Sequence, residues 1–568
     1  MDNVFIQLAV ILSLSCTLGF LVYKLKLPLV IAYLTTGLIL AALATLDINE
    51  FSALSFLPDI GIAFLLFLVG MELDLREIKS FGRQILTAGI LQVIITSVLG
   101  TFIAQSLGFK LPEAAYLGIG LSFSSTIVVV KLLLDKKELS SLYGKLSVGV
   151  LLVEDLLAVI VLLGLTSSIS LINISSGAVS PVLVFFLKTL ILFVSAGLIN
   201  RFLLSRIFKA VSDSGELLFL TALAWCFFYI AAAVLMGFSI LIGAFMAGVV
   251  LATSPYHYQI QGKIKPMRDF FVALFFVYLG TKVNFSEIGN VLPLIMIFTA
   301  YAVLIKPVII LLVLGIFGFR KHTMFHTAIS MSQISEFSLI ILLVGLELGL
   351  VSQAGLTVIA LSTAISMTIS SLIIFKSNEL YRVVSKALGF FERKNKFHVL
   401  EEGRTKVLEN HAVIIGAHRV GGELVRLLKR EKIPMVILDF NPHVVEMMLL
   451  ENIPVIYGDM GDPEVLDILK LDKARMIVST SADNHDNKLL LSNIKLRHIN
   501  VPAIVRAETL KEAVALYKAG ADFVIIPEIL AGDELTDIIR DHLGDKGYFK
   551  DRARIELEKL SRKTLAWG

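Results

Sequence analysis

Charge is what this sequence has least of. Asp, Glu, Lys and Arg make up 17% of its 568 residues, against roughly a quarter in ordinary soluble domains. With 56% hydrophobic residues and a mean hydropathy of +0.83, that shortfall excludes a soluble globular protein and implies a polytopic membrane protein. Cysteine is nearly absent too. Cys16 and Cys226 both lie inside apolar runs, so a disulfide framework or metal cluster has neither the number nor the spacing it needs. The first apolar run lacks a basic leader and is long enough to span a bilayer, so it reads as a helix and not as a cleaved signal. Nothing in the composition calls for nucleic acid.

What charge there is lies mostly at one end. Apolar runs of about twenty residues recur up to Phe375, after which Lys, Arg, Glu and Asp become frequent. The spacing predicts a membrane domain over 1–376, a cytoplasmic linker over 377–409, an α/β domain over 410–543 and a helix-like tail over 544–568. Spanning helices are expected at 3–22, 28–46, 53–72, 84–107, 113–135, 142–165, 180–200, 214–235, 237–253, 266–281, 289–318, 323–348 and 352–375, thirteen in all. Alternate loops gather nearly all the Lys and Arg, from Lys24 and Lys26 through to Arg320 and Lys321, while the other set offers Lys110 and Lys282. Because basic loops stay in the cytoplasm, the N-terminus is expected outside and the C-terminal domain inside.

Against this apolar background a few charges stand out. Glu154 and Asp155 are adjacent in the run from Leu146 to Leu165, and carboxylates at mid-bilayer are kept where they are paired or used. Counted from the cytoplasmic ends of their helices, Asp155, Lys306 and Glu336 share a level about 18–20 Å deep. A Glu154–Lys306 ion pair is expected, with Asp155 exchanging a cation or proton. Pro307 should loosen the helix where Lys306 sits. Two runs concentrate hydroxyls, residues 121–126 and 330–336, and include Ser125, Thr126, Ser335 and Glu336. They fall at matching places in two six-helix halves, as the broken helices of inverted-repeat transporters do. Lys188 reads as a snorkelling stem and His326 as an interfacial polar residue.

With these residues in place, the membrane part resembles the monovalent cation:proton antiporters, specifically the Kef-type potassium:proton branch. The matching stretches are Phe64 to Asp74, Ser124-Ser125-Thr126, Glu154-Asp155, the Lys306 helix and Ser335-Glu336-Phe337. The resemblance implies an elevator-like, homodimeric antiporter in a prokaryotic inner membrane, moving K+ or Na+ against H+, with Asp155 as the exchanging acid. Kef-type proteins usually have Gln before that Asp, and electrogenic sodium:proton relatives have a second Asp. Glu154 matches the latter in charge, which leaves ion and stoichiometry open.

The cytoplasmic part reads as alternating strands and helices. His411 to Ile415 is a buried strand entering a glycine turn, Gly416-Ala417-His418-Arg419-Val420-Gly421-Gly422, and a second strand ends at Asp439 about 20 residues on, as dinucleotide-binding βαβ units require. His418 stands where a second glycine would let a pyrophosphate approach. The segment resembles the N-terminal lobe of RCK (TrkA-N) domains, which implies dimerisation and a regulatory adenine nucleotide, NAD(H), AMP or ATP. By position in that family Gly416, His418 and Gly421 would shape the phosphate turn, Asp439 would accept ribose hydroxyls, and Asp459 and Arg506 would line the pocket. No catalytic constellation accompanies the fold, so an enzyme is not expected. The alternative is an RCK-gated, channel-like potassium efflux protein. A TVGYG-type filter is absent, and a channel needs no titrating midplane acid.

Overall fold

A computed structural model gives the architecture. It describes residues 4–43, 57–72, 82–139, 141–172, 188, 191–192, 194–199, 202, 204–252, 254–283, 288–392, 409–417 and 419–567. Leu73, Asp74, His418, most of the expected helix 180–200 and the linker stretch 393–408 lie outside these. The chain divides into two units, Met1–Arg393 and Lys394–Gly568.

The first unit is helical throughout its described residues. It opens with α1 (Val4–Lys24), α2 (Leu29–Leu43), α3 (Leu57–Glu72) and α4 (Gly82–Ser106). The run read as one helix over 113–135 is two, α5 (Leu111–Ser122) and α6 (Thr126–Lys136), with extended backbone at Phe123 and Ser125 between them. α7 (Leu142–Ile172) carries Glu154 and Asp155. After α8 (Ser205–Val211) and α9 (Gly215–Leu235), Gly237 turns left-handed at φ +85°. Its N–H donates to the Val234 carbonyl and that of Phe238 to Ala233, which closes α9 before α10 (Ile240–Ala252) begins. Lys188 Nζ donates to the Met236 carbonyl at 2.9 Å. Its cation therefore caps the negative end of α9 and does not simply snorkel.

α11 (His257–Thr281) corrects an expected boundary. It starts nine residues before the expected 266 and runs through Pro266, so Lys263, Lys265 and Arg268 sit on a helix and not in a loop. A helical proline leaves the carbonyl four residues earlier unpaired. Here that residue is Gly262, with open space where a side chain would be, so the turn has room to bend. α12 (Ile288–Ala300) widens into a π-helical turn at Tyr301–Ile305 and resumes as α13 (Lys306–Ile316). Pro307 offers no N–H to Val303, and the ladder shifts by one residue to accommodate it. The second expected break is present: α14 (Lys321–Ser330) and α15 (Glu336–Glu347) are separate helices. α16 (Gln353–Phe375) and α17 (Ser377–Leu388) complete the unit.

Among the described residues six helices are long and apolar enough to cross a membrane: Phe5–Lys24, Gln84–Ser106, Leu111–Lys136, Gly215–Leu235, Gly289–Ile316 and Gln353–Phe375. Leu29–Ala42, Ile60–Met71 and Ile240–Ala252 are apolar but shorter. The expected thirteen goes beyond this set. The unit is inverted relative to a soluble protein. Leu235 is 89% exposed and Phe102 67%, whereas Glu154 and Lys306 are 0% exposed, because lipid solvates the former and cannot solvate the latter. Two seams are closed by glycine. A Cβ added to Gly37 of α2 would lie 2.7 Å from the Gly280 Cα of α11, and one on Gly70 of α3 would lie 3.0 Å from the Gly248 Cα of α10. Small residues let membrane helices approach to backbone contact.

The second unit is a parallel α/β layer structure. Its sheet has β1 (His411–Ile415), β2 (Met435–Asp439), β3 (Val455–Tyr457), β4 (Ala474–Ser479), β5 (Ala503–Arg506) and β6 (Phe523–Ile525). The order is β3-β2-β1-β4-β5-β6 and every pairing is parallel. β1 and β2 are buried at every residue, as strands covered by helices on both faces must be. Between strands run α18 (Arg419–Arg430), α19 (Pro442–Leu450), α20 (Pro463–Ile468), α21 (Asn484–Leu496) and α22 (Leu510–Ala519), and α23 (Pro527–His542) and α24 (Lys546–Trp567) follow. β6 was not expected. It is three residues long with Phe523 exposed at its outer position, and its apolar run Phe523-Val524-Ile525-Ile526 is cut short by Pro527.

Candidate functional site

The polar centre of the membrane unit forms where the two broken helices meet. A helix interrupted in an apolar interior leaves backbone N–H and C=O groups that need partners, and here each break supplies them to the other. Ser335 N–H donates to the Phe123 carbonyl at 3.0 Å. Ser124 Oγ donates to Met331 O at 3.1 Å, and Gln333 Nε2 to Ser125 O at 3.3 Å. Ser125 and Ser335 cap the N-termini of α6 and α15, accepting from Val128 and Phe337 N–H. Two hydroxyls of α16 complete the second break: Ser366 accepts from Ile334 N–H at 3.3 Å, and Ser370 accepts from Ser332 Oγ at 3.0 Å.

The charges are set around this crossing. Thr126, first residue of α6, donates its hydroxyl to Asp155 Oδ2 at 2.8 Å. Glu154 is wholly buried. One of its oxygens accepts from Ser124 N–H at 2.6 Å and the other from the Gln92 side-chain amide. Lys306 is also wholly buried and donates to the Gln333 carbonyl at 3.1 Å. The expected Glu154–Lys306 ion pair is therefore not a contact, although the two charges interact electrostatically. The physical reason is the breaks themselves. They free a Ser124 N–H that takes the carboxylate and a Gln333 carbonyl that takes the ammonium. Glu336 is buried with Oε2 lacking a hydrogen-bond partner, beside Ser125 and within the field of Arg268. Sequence reading brought Asp155, Glu154, Thr126, Lys306, Ser125, Ser335 and Glu336 forward. It missed Gln92, Ser366 and Ser370, polar residues inside apolar runs, which was the signal that could have found them.

His326 is packed inside the helical unit. It is buried with its ring 4.8 Å from that of Tyr143, and His322 and Tyr381 stand close by. At the same end of the unit Lys136 pairs with Glu138 at 2.6 Å and donates to Ser377, the first residue of α17, at 2.9 Å.

In the second unit the candidate residues collect at the carboxyl ends of the strands. Strand order reverses between β1 and β4, and ligands of open α/β sheets bind outside that switch point. Gly416 follows β1 at φ +82°, a backbone state that side chains resist. A Cβ on Gly421 would overlap the Gly416 carbonyl, so α18 starts in backbone contact with the turn. Thr480, just past β4, donates to the Gly416 carbonyl at 2.8 Å. Asp439 ends β2. Its carboxylate accepts from Ala417 N–H and Asn441 N–H, both at 2.8 Å, so it braces the glycine turn from within the protein. Asp459 accepts from Gly461 N–H at 2.9 Å. Arg506 ends β5 with its carbonyl accepting from Asn487 at 2.9 Å and its guanidinium 3.8 Å from Glu508. The Arg506 Nε is buried without a hydrogen-bond partner, an orphan donor that suits an anionic or hydroxylated ligand.

Known proteins align along both units. Residues 412–527 match the TrkA-N domain. A putative K(+) efflux antiporter KefB of Alkalimonas amylolytica is 28% identical over 94% of this chain and 81% of its own. A putative cation/proton antiporter YbaL of Escherichia coli is 26% identical over 91% and 94%. The solved sodium proton antiporter MjNhaP1 of Methanocaldococcus jannaschii shares the fold of the membrane unit, with a TM-score of 0.50 at 15% identity over 67% of this chain and 98% of that one. Because residues 10–376 match the transmembrane domain of the sodium/hydrogen exchangers, the chain belongs to the sodium/hydrogen exchanger family.

Proposed function

We propose that the protein is a secondary antiporter exchanging potassium for protons across a prokaryotic inner membrane, under the control of an adenine nucleotide held by its α/β unit. The observation that carries the reading is Asp155, hydrogen-bonded to Thr126 at the start of α6, where two interrupted helices cross. A carboxylate there can hold either a dehydrated cation or a proton, with freed backbone carbonyls to complete the cation's shell. Glu336 and Ser335 flank the same crossing, and Lys306 offsets the buried negative charge of Glu154. Potassium is preferred to sodium because the relatives named above include a putative K(+) efflux antiporter matched along both units. The reading includes thirteen spans, the N-terminus outside, the α/β unit in the cytoplasm and a homodimer in the lipid.

For the nucleotide, support comes from the strand order, the left-handed Gly416, the backbone contact at Gly421 and the orphan Arg506 donor. Asp439 would give its carboxylate to ribose hydroxyls, with Asp459 and Arg506 at the rim and His418 beside the phosphates.

Proteoliposomes with an internal pH dye test the transport. Adding external potassium should drive proton efflux from wild type and none from Asp155→Asn; cation current without proton movement would instead mark a channel. For the nucleotide, NAD, NADH, AMP or ATP should raise the melting temperature of the full chain, and Asp439→Ala should remove the effect. Melting unmoved by all four would leave the α/β unit as a dimerisation module only.

A further inference from the structure

One side of α17 is docked on the bundle. Ser377 Oγ accepts from Lys136 Nζ, at the end of α6, at 2.9 Å. The Tyr381 ring lies 5.0 Å from that of His322 and 5.5 Å from that of Phe325, both on α14. Leu388 is buried, and a Cβ on Gly315 of α13 would overlap the Phe391 carbonyl in the turn that follows α17. The helix therefore lies across the ends of α6, α13 and α14. Lys376 alone separates it from α16, which is long and apolar enough to cross a membrane. That junction has the marks of a bilayer edge: Leu372, one turn before it, is exposed, and Lys26 Nζ stands 5.6 Å from the centre of the Phe375 ring. Aromatic rings and long cations gather at that level.

A second side of α17 is apolar and open. Leu380, Val383 and Ala387 recur at the i, i+3, i+7 spacing of one helix side, and Phe390 extends it. Val383 is 79% exposed and Phe390 88%. At 3.6 residues per turn this stripe is centred about a quarter turn from the docked side. Arg382 and Lys386 line the remaining, polar side, Lys376 heads the stripe, and Glu379 is the one acid of the helix. An apolar helix side flanked by Lys and Arg suits the surface of anionic lipid, where acyl chains take the apolar residues and phosphates the cations. A protein partner would have to meet those cations with acids of its own. Because α17 starts where α16 leaves the bilayer, lipid is already beside it.

We propose that α17 is an interfacial helix whose stripe from Leu380 to Phe390 is seated in a leaflet of anionic phospholipid, with Lys376, Arg382 and Lys386 on the headgroup phosphates. The leaflet then holds α17 from one side and the bundle holds it from the other. Since α6 and α14 each run from α17 to one of the helix breaks, lipid at this site steadies the far ends of both helices. The inference rests on α16 crossing a membrane and does not depend on antiport.

Spin labels on the full chain test it. In a Cys16→Ala/Cys226→Ala background, Val383→Cys, Phe390→Cys, Asn378→Cys and Leu372→Cys are labelled one at a time and placed in phosphatidylcholine nanodiscs with and without phosphatidylglycerol. Collisions with oxygen, which dissolves in lipid, are compared with collisions with a water-soluble nickel chelate. The oxygen-to-nickel ratio should be several-fold higher at 383 and 390 than at 378, on the far side of the helix, and should rise further with phosphatidylglycerol. Water contact at 383 and 390 with lipid contact at 372 overturns the proposal; water contact at 372 withdraws the membrane crossing of α16 itself. Labels at 383 and 390 shielded from both reagents would mean that protein covers the stripe, which also overturns it. Lys376→Gln/Arg382→Gln/Lys386→Gln should abolish the rise with phosphatidylglycerol, and an undiminished rise removes the role of the cations. Wild-type protein gives a check free of substitutions: amide exchange over 380–390 should slow when phosphatidylglycerol is added, and unchanged exchange counts against anionic lipid as the occupant.

Discussion

The glycine seams and the polar crossing hold the same membrane unit together by opposite means. At Gly37–Gly280 and Gly70–Gly248 the helices touch through backbone with no charged or hydroxylated side chain between them. At the crossing of α5/α6 with α14/α15, contact is made by hydrogen bonds among Ser124, Ser125, Gln333 and Ser335, with buried charges alongside. Lipid tails give helices no hydrophobic reason to associate, so close packing and internal hydrogen bonds are what remain. A glycine seam tolerates sliding, because it lacks directional bonds. The crossing tolerates very little, since the backbone groups at both breaks bond to one another in fixed directions.

Three substitutions separate the two regions. The largest effect is expected at the crossing. Lys306→Met leaves Glu154 buried without its counter-charge and should cost about 3–5 kcal/mol, read as loss of folded, monodisperse protein in detergent. Adding Glu154→Gln should recover most of it, and failure to recover would break the claim that the two charges offset each other. Next is the seam. Gly280→Leu forces a side chain into the backbone of α2 and should cost about 1–3 kcal/mol, with a smaller effect for Gly280→Ala. Thermal melts of both variants indistinguishable from wild type would mean that α2 and α11 do not need that approach. Smallest is Ser366→Ala, which strips the acceptor from Ile334 N–H in the second break and should cost roughly 1 kcal/mol. Its clearest readout is faster amide exchange at residues 331–335, and unchanged exchange would show that the break does not depend on α16.

Much of the crossing was legible because lipid makes polar residues conspicuous. Ser, Thr and Glu inside apolar runs at 121–126 and 330–336 marked both breaks, and Glu154, Asp155 and Lys306 stood out for the same reason. Partner choice was not legible. Opposite charges at one depth suggested a Glu154–Lys306 pair, but the groups that took those charges, Ser124 N–H and the Gln333 carbonyl, are backbone atoms released by the breaks and carry no sequence signal. The passage of α11 through Pro266 was hidden because a proline near basic residues looks the same whether a helix starts there or bends there. In the α/β unit the Gly and Asp spacing announced β1 and β2, whereas the run Phe523-Val524-Ile525-Ile526 behind β6 is too short for its pattern alone to separate an edge strand from a loop.

The mutual stapling of the two breaks also bears on biogenesis. Ser124 and Met331 are 207 residues apart. At synthesis rates of about 5–20 residues per second, roughly ten to forty seconds separate the arrival of the first interrupted helix from that of its partner. Over that interval the Phe123 carbonyl and the Ser124 hydroxyl lack the partners they have in the finished protein, at a depth where lipid offers none. The nascent chain must therefore keep its first half where water or the insertion machinery can satisfy those groups, or hold residues 121–126 as continuous helix until α14 and α15 come into reach.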